Sequence, residues 1–134
     1  MFKLDERLAE NSVEIDLWPL SQVLLRNDTN FPWLVLVPMR QDMTEIHQLQ
    51  QPDRAQLIEE ISRASWALER MVKPHKMNIA NMGNRVAQLH IHVIARFTTD
   101  PAWPHPVWGR IEPVPYTPEA IEDFKKRFAA AGRP

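Results

Sequence analysis

The sequence predicts an α+β fold, because its apolar residues follow the periodicity of strands in some segments and of helices in others. Five segments show alternation or short apolar runs typical of β-strands; they are residues 13–17, 21–26, 33–37, 75–80 and 84–97. Residues 53–72 instead place apolar side chains at steps of three and four, which predicts a long amphipathic helix.

The chain has 134 residues and a formal net charge of −1, which predicts one domain spanning residues 1–134 with its core in residues 13–97. This charge gives no electrostatic basis for nonspecific nucleic-acid binding. Cysteine is absent, which excludes disulfides and thiolate catalysis. The N-terminal residues lack the apolar stretch of a signal peptide, and no apolar run reaches membrane-spanning length. We therefore expect a cytoplasmic protein with no membrane partner.

The first half of the chain predicts an antiparallel sheet. A short helix at residues 5–10 precedes strands at 13–17 and 21–26, and the short turn between these strands favours antiparallel pairing. A turn-rich loop follows at residues 27–32, where Asp28 either satisfies local backbone amides or belongs to a binding site. Residues 33–37 are apolar on both faces, which predicts a central strand. Arg40 then lies near the mouth of a site or is a solvated charge.

The second half combines the long helix with a hairpin and a C-terminal helix. Asn81 and Gly83 predict a tight connection between the fourth and fifth strands. Residues 98–116 are rich in proline and contain two tryptophans, so they are expected to cover a sheet edge or dimer contact, or to form a wall of the site. Thr117 and Pro118 are typical of a helix start, and residues 117–131 form the last predicted helix.

Residues 84–97 are the most informative segment of the chain. Side chains alternate faces along a strand, and every odd-numbered position from Ala87 to Phe97 is apolar, which predicts that this face packs on a core. The opposite face combines amides, imidazoles and a guanidinium; its polar members are Asn84, Gln88, His90, His92 and Arg96. Neighbours on one face of a strand lie roughly 6.5–7 Å apart, so two of them can contact one phosphate group.

Two other interpretations of this face remain open. A polar strand face is the usual pattern of a sheet with one side in water. His90 and His92 also form a possible metal-binding pair, but zinc requires further ligands, and His47, His75 and His105 do not follow them with typical ligand spacing.

The imidazoles favour nucleophilic chemistry at phosphorus that requires no metal or other cofactor. A nucleophilic histidine is neutral, with one ring nitrogen free and the other donating to a fixed acceptor such as a backbone carbonyl. A second histidine two positions away can assist the leaving oxygen. The amides of Gln88 and Asn84 can donate to phosphate oxygens as charge develops.

Gln88, His90 and His92, with the apolar residues between and after them, resemble the histidine triad (HIT) signature, His-φ-His-φ-His-φ-φ, in which φ is apolar. The preceding Gly83, Asn84 and Val86 are similar to the Gly-Gln-x-Val that leads into this signature. The resemblance extends over most of residues 13–97, and the segment after the motif looks like a bacterial branch with Gln in the first triad position.

The resemblance implies five antiparallel strands with helices on one side, a homodimer and nucleotide binding. It also implies hydrolysis or transfer of nucleotidyl groups from dinucleoside polyphosphates, nucleoside phosphoramidates or similar esters. His90 corresponds to the nucleophile, and His92 to the residue that contacts phosphate and assists the leaving group. The matched binding residues are Asn84 and Asn81 for phosphate and Asp28 or Asn27 for ribose.

Two positions depart from the family pattern. Gln88 replaces the first histidine and cannot titrate, so a proton relay through that position is lost. Arg40 lies in a segment where the family often has histidine, and it can strengthen phosphate binding through a charge-assisted hydrogen bond. The alternatives to an enzyme are a nucleotide-binding module that has lost catalysis and a metal-binding protein that uses the two histidines.

Overall fold

The computed structural model describes all residues from Met1 to Pro134 and contains five strands and three α-helices. The strands are β1 (Ser12–Leu17), β2 (Ser21–Arg26), β3 (Trp33–Pro38), β4 (Lys76–Asn81) and β5 (Ile91–Arg96). The helices are α1 (Glu6–Glu10), α2 (Gln51–Val72) and α3 (Pro118–Ala131), with a short 3₁₀ helix at Ile46–Gln48. None of the helices combines the length and apolar character needed to cross a bilayer.

The predicted five-stranded antiparallel sheet is confirmed. Its strand order is β1-β2-β3-β5-β4, so the last strand in sequence inserts between β3 and β4. Within this register, His92 on β5 lies opposite Val35 on β3 and Ala80 on β4. The central position of β5 explains why residues from both halves of the chain surround its histidines.

The fifth strand is shorter than the sequence predicts. Residues 82–90 form an irregular connection in place of a tight turn, so Asn84 and Gln88 do not lie on the strand. The backbone amide of Leu89 donates to the carbonyl of Met43 at 2.9 Å, which places it outside the β-ladder. The sequence pattern that predicts a strand thus extends beyond the residues that pair with neighbouring strands.

The long helices pack on one face of the sheet. The apolar stripe of α2 and two phenylalanines of α3 meet the odd-numbered residues of β5; the shared cluster includes Leu57, Ile61, Ala64, Leu68, Leu89, Ile91, Val93, Ala95, Phe124 and Phe128. This confirms the predicted core face from Leu89 to Ala95, whereas Ala87 is exposed. A left-handed residue, Lys73, ends α2, and the hydroxyl of Thr117 caps α3 as predicted.

The opposite face of the sheet is buried as well. A second apolar cluster includes Trp33, Val35 and Ile94 from the sheet, Leu8 from α1, and Val107 from the proline-rich segment. The even-numbered face of β5 therefore does not meet water, which contradicts the solvent-exposed alternative. Polar side chains on this face require partners inside the protein.

Arg96 illustrates this requirement. It lies on the same strand face as His92, but its hydrogen bonds are made to residues outside the predicted site. Its guanidinium is 1% exposed and forms a bidentate ion pair with Asp100, at 2.8 and 3.1 Å. It also donates to the Asn78 side chain and to the carbonyl of His105, each at 2.8 Å. Asp100 in turn accepts from backbone amides of Phe97, Ala102 and Trp103. This network folds residues 98–108 back over the sheet.

We expect Asp100→Asn to lower the free energy of unfolding by about 3 kcal/mol, because it leaves a buried guanidinium without its counter-charge. Burial alone raises the pKa of Asp100, but hydrogen bonds from Arg96 and the backbone outweigh this effect and hold the pKa at about 2. The unfolded-state pKa is about 3.9, so the pair stabilises fully above about pH 4 and loses its contribution as the pH falls toward 2.

Urea unfolding at pH 7 and at acid pH measures this contribution. Glu122→Gln is the control, because Glu122 forms only an exposed pair with Lys125 at 3.7 Å and its loss changes stability by less than about 1 kcal/mol. Equal stability losses in both variants would contradict a central role for the buried pair.

Candidate active site

His90 and His92 form the centre of the site. His90 immediately precedes β5, and His92 is its second residue, so both side chains take the even-numbered face. Their ring centroids are 4.9 Å apart, and each residue is only 4% exposed. The predicted pairing of the two imidazoles on one face is thus observed.

The hydrogen bond of His90 defines which of its nitrogens is free. Nδ1 lies 2.6 Å from the backbone carbonyl of Gln88, and a carbonyl only accepts. Nδ1 therefore carries the proton, and Nε2 keeps its lone pair. Burial lowers the pKa of His90, while the Gln88 carbonyl and the carboxylate of Asp5 act in the opposite direction. The neutral, nucleophilic form is favoured at neutral pH.

His92 has the opposite arrangement of its proton. The indole Nε1 of Trp33 donates to Nδ1 of His92 at 2.9 Å, so this nitrogen is an acceptor and the proton lies on Nε2. Burial, assisted by the charges of His90 and Arg26, lowers the pKa of His92 to about 3, although a hydrogen bond with the backbone of Met82 opposes them. His92 is therefore a neutral hydrogen-bond donor.

Three residues around His92 were not identified as site residues from the sequence. Trp33 and Trp108 each pack an aromatic edge against the imidazole, with centroid distances of 5.6 and 5.0 Å. The guanidinium of Arg26 lies 4.9 Å from the centroid of the Trp33 ring, and it makes no hydrogen bond or ion pair within the chain. The proline-rich segment thus contributes a wall of the site through Trp108, one of its two predicted roles.

Gln88 contacts the N-terminal segment in place of an open site. Its Oε1 accepts from the amide of Asp5, and its Nε2 donates to the carbonyl of Lys3, each at 2.8 Å. Arg7 reinforces this contact by donating to the carbonyl of Arg85 at 2.8 Å. Both ends of the predicted catalytic amide are therefore engaged, so Gln88 acts here as an anchor for residues 1–10.

Asp28 and Asn27 connect the β2–β3 loop to the segment before α3. Asp28 is buried, and its Oδ1 accepts from Asn30 and from the amide of Val114. Oδ1 of Asn27 accepts from the amide of Tyr116 at 2.8 Å. Both side chains accept hydrogen bonds from backbone amides. This is the first of the two roles predicted for Asp28, the other being a place in a binding site.

The remaining candidate residues form no hydrogen bond with the buried histidines, although Asn81 pairs with Ile91, the residue between them. Asn84 and Asn81 are exposed, in the 82–90 connection and at the end of β4, and neither side chain forms a hydrogen bond within the chain. Arg40 forms a bidentate ion pair with Asp53 of α2, with contacts of 2.7 and 3.0 Å. Asp53 therefore holds the guanidinium near the start of α2, and the expected place of Arg40 at the mouth of the site stays a prediction.

The side-chain arrangement does not provide a metal centre. No group of three or more histidine, aspartate or glutamate side chains is placed to hold a metal ion. The Nδ1 atoms of His90 and His92 are already occupied by the Gln88 carbonyl and the Trp33 indole. No third side chain of this kind therefore completes a metal site with His90 and His92.

The fold and the two buried imidazoles define a protein of the histidine triad class. The HIT domain family model matches residues 13–99, and the chain belongs to this family. A comparison with curated proteins found no significant match.

Solved structures show the same relationship. The chain is similar to a histidine triad protein from Bradyrhizobium japonicum, with 45% identity, a TM-score of 0.94 and coverage of 97% of both chains. It is also similar to histidine triad proteins from Sinorhizobium meliloti and Marinobacter aquaeolei, each with 41% identity and a TM-score of 0.95. These alignments cover 97% and 98% of this chain and 96% of each relative.

More distant structures share the fold alone. One is a hypothetical histidine triad nucleotide-binding protein from Sulfolobus tokodaii, with 15% identity and a TM-score of 0.67. That alignment covers 90% of this chain and 83% of the other.

We expect Gln88→Ala to loosen the N-terminal segment, because two hydrogen bonds are lost at once. The free energy of unfolding should fall by about 1–2 kcal/mol, and limited proteolysis should cleave residues 1–10 faster. Gln22→Ala is the matched control, since the Gln22 amide bonds only the exposed side chain of Glu14. Unchanged cleavage in Gln88→Ala would show that this amide does not hold the segment.

Proposed function

We propose that this protein is a nucleotide hydrolase or transferase that cleaves at the α-phosphate of a nucleotide conjugate. The substrate classes are dinucleoside polyphosphates and nucleoside phosphoramidates, and the reaction passes through a nucleotidyl intermediate on His90. The observation that carries the proposal is the hydrogen bond from Nδ1 of His90 to the Gln88 carbonyl, which leaves Nε2 as a neutral nucleophile.

The surroundings of His90 support attack at phosphorus. Burial favours its neutral form, so the nucleophile needs no deprotonation at neutral pH. The Nε2–H of His92 can donate to a phosphoryl oxygen in place of the backbone of Met82, and the centroids of the two rings are 4.9 Å apart. Arg26 forms no direct ion pair within the chain, although the charge of Asp28 acts on it, and its guanidinium beside Trp33 can stabilise negative charge on the phosphate.

The exposed amides of Asn84 and Asn81 remain candidates for contacts with the phosphate chain. Asp28 and Asn27 remain candidates for the ribose, although binding there requires the loop to exchange its bonds with Val114 and Tyr116. We assign no phosphate contact to Arg40, because Asp53 already pairs with it.

His90→Ala should reduce the release of AMP by at least about 10³-fold, because it removes the atom that forms the intermediate. The purified protein is incubated with diadenosine polyphosphates and with adenosine 5′-phosphoramidate, and AMP is followed over time. His47→Ala is the control, since His47 is exposed in the 3₁₀ helix and contacts neither site histidine.

Turnover of His90→Ala at the rate of the unmodified protein would contradict the mechanism. Binding of AMP without release from any substrate would indicate the alternative function, a nucleotide-binding module that has lost catalysis. Mass spectrometry of a rapidly quenched reaction adds a direct readout, because the intermediate increases the mass of the protein by one nucleotidyl group.

The proposal includes a homodimer, which the family resemblance implies. Its support in this chain is the outer edge of β4, which pairs with no other strand, and Ile79 on that strand, which is 51% exposed. Light scattering of the purified protein should give twice the mass of one chain, and Ile79→Lys should shift it toward the monomer. A monomeric mass for the unmodified protein at micromolar concentration would contradict this part of the proposal.

A further inference from the structure

The hydrogen bond between Trp33 and His92 limits the chemistry available to His92. An indole nitrogen donates and never accepts, so the 2.9 Å contact holds Nδ1 of His92 as an acceptor. An imidazolium has a proton on both nitrogens. His92 can therefore become charged only if the bond from Trp33 is broken.

The environment of His92 adds to this restriction. Two tryptophan rings pack against the imidazole, and its burial is the main cause that disfavours the charged form of His92. The positive charge of Arg26, and that of His90 when protonated, act in the same direction. No carboxylate forms a hydrogen bond or ion pair with His92. The pKa of His92 is lowered to about 3, so the imidazolium is a minor form at pH 7.

The other neighbours of the nucleophile also lack a proton to give. Gln88 cannot titrate, and both ends of its amide are bonded to Lys3 and Asp5. Hydrogen bonds from Arg7 lower the pKa of Asp5, so its carboxyl is ionised at neutral pH. The site therefore contains a nucleophile and hydrogen-bond donors but no general acid.

We infer that Trp33 is a specificity-determining residue, which restricts this enzyme to nucleotide conjugates whose leaving group departs without a proton. This inference rests on the proposed function and narrows its substrate class. Suitable leaving groups are weak bases, such as the phosphate end of an anhydride or an acidic phenol. Amines are unsuitable, because nitrogen leaves phosphorus as a neutral amine only after it has been protonated.

The two chemical steps then balance without an acid. The lone pair of His90 Nε2 forms a bond to the α-phosphorus while the bond to the leaving oxygen breaks, and its electron pair departs with that oxygen as an anion. His92 donates a hydrogen bond to the phosphoryl group but keeps its proton. Water next attacks phosphorus, the P–N electrons return to Nε2, and the proton of water passes to solvent, which yields a nucleoside monophosphate and neutral His90.

A leaving-group series tests this inference on the unmodified protein. The substrates are aryl esters of AMP whose phenols have pKa values from about 5 to about 10, together with a diadenosine polyphosphate and adenosine 5′-phosphoramidate. We expect kcat/KM to fall steeply as the phenol becomes more basic. The phosphoramidate should react at least about 100-fold more slowly than the anhydride, the range that a missing general acid accounts for.

Trp33→Phe keeps an aromatic ring but removes the N–H donor. It should raise the pKa of His92, measured by NMR titration, and increase the rate on the phosphoramidate relative to the most acidic aryl ester by about tenfold or more. Trp108→Phe is the matched control, because Trp108 packs against the same imidazole at 5.0 Å without a hydrogen bond to it. The control should leave the ratio of the two rates unchanged.

The outcomes distinguish failure of the role of Trp33 from failure of the proposed function. A flat aryl series, or a phosphoramidate cleaved as fast as the anhydride, would overturn the role of Trp33 while leaving a nucleotidyl-His90 enzyme in place. An unchanged rate ratio and an unchanged His92 pKa in a folded Trp33→Phe protein would do the same. If that variant does not fold, the series on the unmodified protein decides. No His90-dependent release from even the most acidic ester would overturn both proposals.

Discussion

Burial of the polar face of β5 is the constraint on which the rest of the structure depends. The strand lies between two apolar clusters, so its imidazoles and its guanidinium must be satisfied by groups of the protein itself. His90 meets the carbonyl of Gln88, His92 meets the indole of Trp33, and Arg96 meets the carboxylate of Asp100. The partner of each imidazole also determines which ring nitrogen carries the proton, and the carboxylate of Asp100 balances the charge of Arg96. The hydrogen bonds that offset the cost of burying these groups thus determine the tautomer of each histidine.

The ion pair of Arg96 supports the site although it contacts neither histidine. Asp100 accepts hydrogen bonds from three backbone amides as well as from the guanidinium, and these bonds fix the turn that follows β5. The chain then returns over the sheet, where Val107 enters the second apolar cluster and Trp108 reaches His92. An ion pair at one end of the strand therefore helps to exclude water at the other, and this exclusion is the main cause of the low pKa of His92.

The sequence by itself determined the elements whose signals are local. Alternation located β1, short apolar runs located β2 and β3, the apolar stripe located α2, and the cap at Thr117 located the start of α3. It also identified the two histidines that share one face, since two positions along a strand return a side chain to the same side. It overextended β5, because side-chain alternation does not report where the backbone amide of Leu89 finds its acceptor.

Only the tertiary structure decided what each polar side chain meets. Trp33 and His92 are 59 positions apart, and Gln88 and Lys3 are 85 apart, so no pattern of period two or 3.6 connects them. The contact of Trp33 with His92 follows from the strand order, and that of Gln88 with Lys3 from the position of the N-terminal segment. The ion pair between Arg40 and Asp53 likewise forms only in the folded chain. A residue pattern shows which face a side chain takes. The tautomer and charge of a buried imidazole depend on the group across from it, and distant parts of the chain supply that group only when the sheet has formed.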